Sequence, residues 1–234
     1  MRKIYYLLIA FVLLLGILYG LWEVSKSRTF QFFGEIVPRV ETDQKLVALT
    51  FDDGPTPEHT GEILRILQEE NVKATFFLTG GELKSHPEEG KKIVAAGHEI
   101  GNHTYSHARM LLVSSSFVKE EIERTDEMIR AAGYEKPAHF RPPYGKKLLT
   151  LPFYLSQTNR KSITWDVEPE SFPEIAASTD EIVKHILANT RAGSIILLHV
   201  MYDRERKSLK AVKPVIEGLR AKGFQLVTVS ELMK

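Results

Sequence analysis

Leu46-Val47-Ala48-Leu49-Thr50-Phe51-Asp52-Asp53-Gly54-Pro55 is the stretch whose reading decides the fold, an apolar run ending in two adjacent carboxylates and a Gly-Pro turn. Leu46 to Phe51 reads as a short buried strand. Gly54 and Pro55 take the backbone out of strand geometry, so that neighbouring side chains that would point to opposite faces can converge. Two carboxylates at the mouth of a strand are costly unless a cation joins them. His103 and His107, four residues apart, would share one face of a helical turn and could grip a single metal ion together with one of the Asp groups.

Outward from this stretch, strand-like and helix-like segments alternate. Expected strands are Ala74 to Leu78, Glu99 to Gly101, Ser162 to Trp165, Ser194 to Leu198 and Phe224 to Val229. Expected helices run from Thr60 to Glu70, from Pro87 to a stop before Gly97, from Ser114 to Ala132, around Leu151 to Asn159, from Thr179 to Thr190 and from Ser208 to Lys222, with Ser230 as the cap of a final turn. The double proline of Arg141-Pro142-Pro143-Tyr144-Gly145 excludes regular structure there. This alternation predicts an α/β fold on a parallel sheet, open or closed as a barrel. Asp52 and Asp53, His103 and His107, Arg141, Asp166 and His199 all follow the C-terminal ends of expected strands, the edge that carries active sites in both architectures.

At 234 residues and 43% hydrophobic content the chain has room for one substantial domain and an appendage. A formal net charge of +1 gives no electrostatic footprint for nucleic acid. With no cysteine there is neither a disulfide framework nor a thiol nucleophile. Arg2 and Lys3 precede Ile4 to Trp22, an uncharged, apolar run. As a helix it would be roughly 28 Å long, close to the hydrocarbon thickness of a bilayer. Residues 1–28 are therefore read as a membrane anchor with its basic end cytoplasmic, or as a signal segment if cleaved, and residues 29–44 as a linker holding the domain off the bilayer. The catalytic domain is assigned to residues 45–234.

TFDDGP at 50–55, HTYSH at 103–107, RPPYG at 141–145, WDVEPESF at 165–172 and ILLH at 196–199 resemble, in order and spacing, the polysaccharide deacetylases of carbohydrate esterase family 4, the NodB-homology domain. The resemblance implies a distorted (β/α) barrel, here preceded by one N-terminal transmembrane helix. It implies one divalent ion, commonly zinc, with cobalt, nickel or manganese as alternatives, and hydrolysis of N-acetyl groups on amino sugars. Carried over by position, Asp53, His103 and His107 are the implied metal ligands, Asp52 the general base and His199 the general acid. Arg141 is the implied residue orienting the base, and Tyr144 supplies a backbone N–H to the oxyanion. Trp165, Leu197 and Pro143 are the implied substrate-binding residues.

The chemistry suits those roles. An amide is a poor electrophile, so water must be activated, the carbonyl polarised and the leaving amine protonated. The sequence departs from the family at Ser171-Phe172, where relatives often carry an acid followed by Trp, so the acid that balances the arginine is either missing here or replaced by Asp166 or Glu168. His59, His86, His98, His139 and His185 are read as surface or packing residues, and the charges of Glu120 to Arg130 as a solvated helix face. The expected activity is that of a membrane-tethered deacetylase acting outside the cell on a glycan such as peptidoglycan, with a monomer as the expected state. Chitooligosaccharides are the alternative substrate, and a non-catalytic glycan-binding protein the alternative class. No GxSxG elbow points to a serine hydrolase.

Overall fold

The structure is a computed structural model that describes residues 2–234. In chain order it consists of α1 (Arg2–Lys26), β1 (Ile36–Val37), β2 (Leu46–Asp52), α2 (Thr60–Glu69), β3 (Thr75–Leu78), α3 (Gly80–Ser85), α4 (Pro87–Ala95), β4 (Glu99–Asn102) and α5 (Ser115–Ala131). A 3-10 turn (Pro143–Gly145), α6 (Thr150–Gln157), β5 (Ser162–Ile163), α7 (Pro173–Ala176), α8 (Thr179–Asn189), β6 (Ile195–Leu198), α9 (Lys207–Ala221), β7 (Gln225–Val227) and α10 (Val229–Leu232) complete it.

The main sheet is parallel, in the order β4-β3-β2-β6. The central strand, β2, pairs with β6 through Ala48–Phe51 and with β3 through Thr50–Asp52, while β7 pairs with its first half, Leu46–Ala48. A smaller parallel pair, β1 with β5, is joined to the main sheet by single bridges Asn102–Phe140 and Phe140–Ser162 on one side. Bridges Arg39–Ser194 and Val167–Ile196 bring the ring back to β6. The result is the expected distorted barrel, closed by bridges rather than by long ladders.

Side-chain alternation along the strands separates two cores. Val47, Leu49 and Phe51 of β2, with Phe76, Leu78, Ile196 and Leu198, face outward into a large cluster with α2, α4, α8 and α9. Ala48 of β2, with Phe77, Ile195, Leu197 and Trp165, fills the barrel interior. The same alternation turns Thr50 and Asp52 inward, and both are buried. Helix starts follow from ordinary capping. Ser114 and Ser178 cap α5 and α8, and Pro87 opens α4.

Three expectations are corrected. The last turn is capped by Thr228, not Ser230, through a reciprocal box with Glu231, because Ser230 already lies inside α10 and is bound to Glu99. A short helix, α3, follows β3 where none was expected. Residues 29–44, read as a linker, instead lie against the barrel. Ile36–Val37 adds a strand beside β5, the Ser162 N–H donates to Glu35 O at 2.9 Å and the Thr164 N–H to Val37 O at 2.9 Å. Gln31 and Val37 are buried. Docking already begins at the end of α1: the Lys147 N–H donates to Ser25 O at 3.0 Å, Lys147 Nζ to Ser27 O, and Thr164 Oγ1 to Arg28 O at 2.7 Å. The mixed polar and aromatic composition that reads as a spacer is that of a short edge strand with exposed flanks.

Candidate active site

Asp52 ends β2 with its side chain in the barrel, and Asp53 follows in the left-handed region at φ 71°. That change of hand, together with Gly54 at φ 75°, brings the second carboxylate round to the same side as the first. A side chain at Gly54 would also meet Met201, whose Cγ lies 2.7 Å from where its Cβ would stand. Arg141 is wholly buried. Its Nη1 donates to Asp52 Oδ1 at 2.6 Å and to Thr50 Oγ1 at 2.9 Å, its Nε to Ile163 O at 3.2 Å and its Nη2 to Thr164 O at 3.1 Å. Its one carboxylate partner among the described residues is Asp52.

His103 and His107 do converge, although not on a helix. The segment after β4 is irregular, and Thr104 and His107 at φ 67° and 57° turn it back on itself, placing the two rings 4.9 Å apart. The turn is clamped by Glu121, a buried carboxylate of α5 that accepts the N–H groups of Tyr105 and Ser106 at 3.0 and 2.8 Å and the Ser106 hydroxyl at 2.8 Å. Glu121 was missed as part of a solvated face. The signal for it is its place in the stripe Val118, Glu121, Ile122, Thr125, Ile129, which is the buried face of α5.

One ligand atom from each of Asp53, His103 and His107 lies within 4.8 Å of the others. His103 Nδ1 donates to Arg141 O at 2.8 Å, which leaves the Nε2 lone pair between Asp52 Oδ2 at 3.6 Å and Asp53 Oδ1 at 3.8 Å, and His107 Nε2 stands 3.3 Å from that Asp53 oxygen. Burial lowers both imidazole pKa values, favouring the neutral, lone-pair-bearing form. Burial, with the neighbouring charges of Asp52 and Glu170, pushes the Asp53 carboxyl up. Two neutral imidazoles and a carboxylate in need of a cation form a donor set that fits a divalent metal ion. Burial would raise the Asp52 carboxyl as well, but Arg141, with His103 and His199, outweighs it and holds Asp52 below its ordinary value.

His199 follows β6. Its N–H donates to both Glu170 carboxylate oxygens at 3.0 Å, its ring Nδ1 meets Glu170 Oε2, and the Ser208 hydroxyl donates to Glu170 Oε1. Burial would lower the imidazole, yet Glu170 together with Asp52 and Asp53 raises it to about 9. The acid expected in place of Ser171 is thus neither Asp166 nor Glu168. Asp166 binds Ser194 Oγ and the Ile195 N–H at 2.9 Å each, and Glu168 binds Arg28 at 3.2 Å and Ser171 Oγ at 2.5 Å. Glu170 reaches His199 from one position earlier, with one methylene more than an aspartate.

Asp52, Asp53, His103, His107, Tyr144, Trp165, Glu168 and His199 line one cleft of about 560 Å³, to which Lys26 and Arg28 contribute a wall. Tyr144 has φ 57° and packs against His107, the rings tilted by 53° with centroids 4.7 Å apart. Its N–H, in the first turn of a short 3-10 helix, has no intrahelical acceptor. Trp165 is buried, and its Nε1 has no hydrogen-bond partner. Leu197 packs with Trp165 and Phe77 inside the barrel, and Pro143 is buried in the loop; neither lines this cleft. His98 accepts the Ala74 N–H, His139 binds Ser230, and His185 packs on Phe172, all away from the cleft.

The family model for polysaccharide deacetylase matches residues 39–184. A peptidoglycan-N-acetylglucosamine deacetylase of Bacillus cereus is 38% identical over 190 residues, covering 80% of this chain and 68% of the relative. A chitooligosaccharide deacetylase of Rhizobium leguminosarum bv. trifolii is 31% identical over 196 residues, covering 79% of this chain and 90% of the relative. The crystal structure of a peptidoglycan N-acetylglucosamine deacetylase in complex with an N-oxidanyl-benzamide superposes with a TM-score of 0.76 at 37% identity, covering 81% of this chain and 88% of that one. With its paired carboxylates, its histidine turn and its closed α/β ring all in place, the chain belongs to the polysaccharide deacetylase family.

Proposed function

We propose that this protein hydrolyses N-acetyl groups from the amino sugars of an extracellular glycan, with peptidoglycan as the substrate, and that α1 holds it in the membrane. The observation that carries this reading is that a carboxylate held ionised by Arg141, the Asp53-His103-His107 set and the His199-Glu170 pair all meet in one cleft. A glycan-binding protein needs neither a base nor an acid there.

Asp53, His103 and His107 would hold the metal ion, and zinc suits this donor set, with cobalt, nickel and manganese the ions to compare against it. A divalent ion bound there supplies Lewis acidity and lowers the pKa of water toward about 7. Asp52, kept ionised by Arg141, accepts the proton of the attacking water. The N–H of Tyr144 is the donor assigned to the developing oxyanion, worth about 3 kcal/mol for one such donor. His199, protonated through its contact with Glu170, donates to the leaving amine nitrogen as the C–N bond breaks, giving acetate and the free amino sugar. Trp165 forms the apolar wall and offers its unpartnered Nε1–H to the substrate.

The test is acetate release from peptidoglycan and from chitooligosaccharides side by side, with Asp52→Asn as control. Turnover of peptidoglycan that falls on the order of 10²-fold or more in Asp52→Asn, with metal content unchanged, supports the assignment. Normal turnover by Asp52→Asn refutes it. Neutral chitin-like oligomers are the second reading, supported by the chitooligosaccharide deacetylase relative, and preferential release from them would transfer the substrate assignment.

A further inference from the structure

Outside α1, large apolar side chains exposed on the surface are few, and Phe30, Phe32, Phe33, Leu149 and Phe153 are grouped where α1 meets the domain. Each is two-fifths to one-half exposed. Phe30 and Phe32 meet edge to face with centroids 5.6 Å apart, and Phe33 and Phe153 do so at 5.4 Å. Leu149 lies one helical turn before Phe153 at the start of α6. A soluble surface with a complete core has no use for such a patch, and patches of this kind mark an interaction.

Its continuity with α1 indicates what covers it. Trp22 closes the apolar run of α1, the Lys146 ammonium stands 4.1 Å from its ring centroid, and Lys147 binds the main chain of the residues that follow. Phe30, Phe32 and Phe33 are the next aromatic side chains along the chain. Cations stand near the domain end of α1: Lys26 in its last turn, paired with Glu23 at 2.9 Å, Lys146 over the Trp22 ring, and Arg109 over the ring of Tyr144, two residues before Lys146. Lys146 and Arg109 have no carboxylate within 4.0 Å among the described residues. Aromatic rings at headgroup depth with basic side chains beside them are the signature of a face lying in a membrane interface.

We propose that this face rests on the bilayer entered by α1, with Phe30, Phe32, Phe33, Leu149 and Phe153 in the headgroup region and Lys26, Arg109 and Lys146 against lipid phosphates. The inference rests on α1 being a membrane anchor. Lys26 and Arg28, which line the cleft, follow Trp22 so closely that the wall they form stands within about 10 Å of headgroup level. The substrate is then glycan lying against the membrane rather than strands farther out.

Because the chain has no cysteine, one introduced residue carries a unique spin label. Full-length Phe32→Cys and Lys91→Cys, the latter on α4, are labelled and reconstituted in phosphatidylcholine–phosphatidylglycerol vesicles, with flotation reporting insertion. The expected result is a label at position 32 that collides several-fold less with an aqueous nickel chelate than the label at 91, and more with oxygen. Equal chelate access at both positions overturns the proposal, as does a chain that fails to float. Dipolar broadening between labels at 32 that persists on dilution with lipid also overturns it, because a second copy then covers the patch. Phe153→Cys repeats the measurement should Phe32→Cys fail to fold. None of these readouts depends on turnover, so failure here is separable from failure of the deacetylase assignment.

Discussion

His199 and Glu170 form a closed pair at one edge of the cleft, the carboxylate taking both the main-chain N–H and the ring Nδ1 of the histidine. With the imidazole raised to about 9 from 6.5, the protonated donor persists through neutral pH and is lost as pH rises above about 9. Glu170→Gln keeps the shape and removes the charge. Its alkaline limb in kcat/KM is expected to retreat toward the ordinary imidazole value, so that at pH 8 activity falls on the order of tenfold while the metal content is unchanged. An alkaline limb left in place would remove Glu170 from the mechanism.

Arg141 and Asp52 are both buried, and each is the other's compensation. Arg141→Met takes from the buried Asp52 carboxylate the cation that is hydrogen-bonded to it, expected to cost about 3–5 kcal/mol in urea unfolding. In the native chain, Asp52 has a lowered pKa, so its contribution to stability is present above the ordinary carboxylate value and is lost as pH falls through the lowered one. The variant should lack that dependence. Arg141→Lys restores a charge but cannot serve Asp52, Ile163 O and Thr164 O together, and is expected to remain well below wild-type activity.

Chelation separates the metal donor set from the proton-transfer groups. Exhaustive removal of divalent ions is expected to abolish acetate release and zinc to restore it, while His103→Ala loses bound metal and Asp52→Asn retains it, as read by elemental analysis. Activity that survives metal removal would contradict the roles of Asp53, His103 and His107.

Truncation at Thr29 removes Ser25 O and Ser27 O, the acceptors of the Lys147 N–H and Nζ, and leaves the wholly buried ammonium, its pKa lowered by burial to about 8, with Gly145 O alone at 3.3 Å. A chain starting at Thr29 is expected to unfold about 2–4 kcal/mol more readily than one starting at Leu21, because a buried donor and a buried cation lose their partners. Equal midpoints would show that the contacts of residues 25–28 with the domain carry no weight.

The order of elements and the strand-end positions of Asp52, Asp53, His103, His107, Arg141 and His199 were legible from local patterns of apolar runs and turns, whereas Tyr144 and Trp165 entered only through the family resemblance. The helix starts at Pro87 and Thr179 were read to within a residue or so because a proline and a serine cap mark them, and the start at Thr60 from the apolar spacing of Ile63, Leu64, Ile66 and Leu67. What was not legible depends on distant partners. The His103–His107 spacing suggested a helix, whereas left-handed residues held by Glu121 make the turn, and nothing local to the pair announces that clamp. Glu170 was hidden by register, since a longer side chain one position early replaces a shorter one. Residues 29–44 have too few apolar positions to declare a strand, and only the free edge of β5 gives them a place.

Leu46–Asp52 is stitched to β3, β6 and β7 at once. A one-residue slip of this strand would swing Asp52 out among the helices, and three ladders would have to break together for that to happen. Sequence drift can reshape the loops around the cleft, while the Asp52 carboxylate stays fixed to the segment of the ring least free to shift.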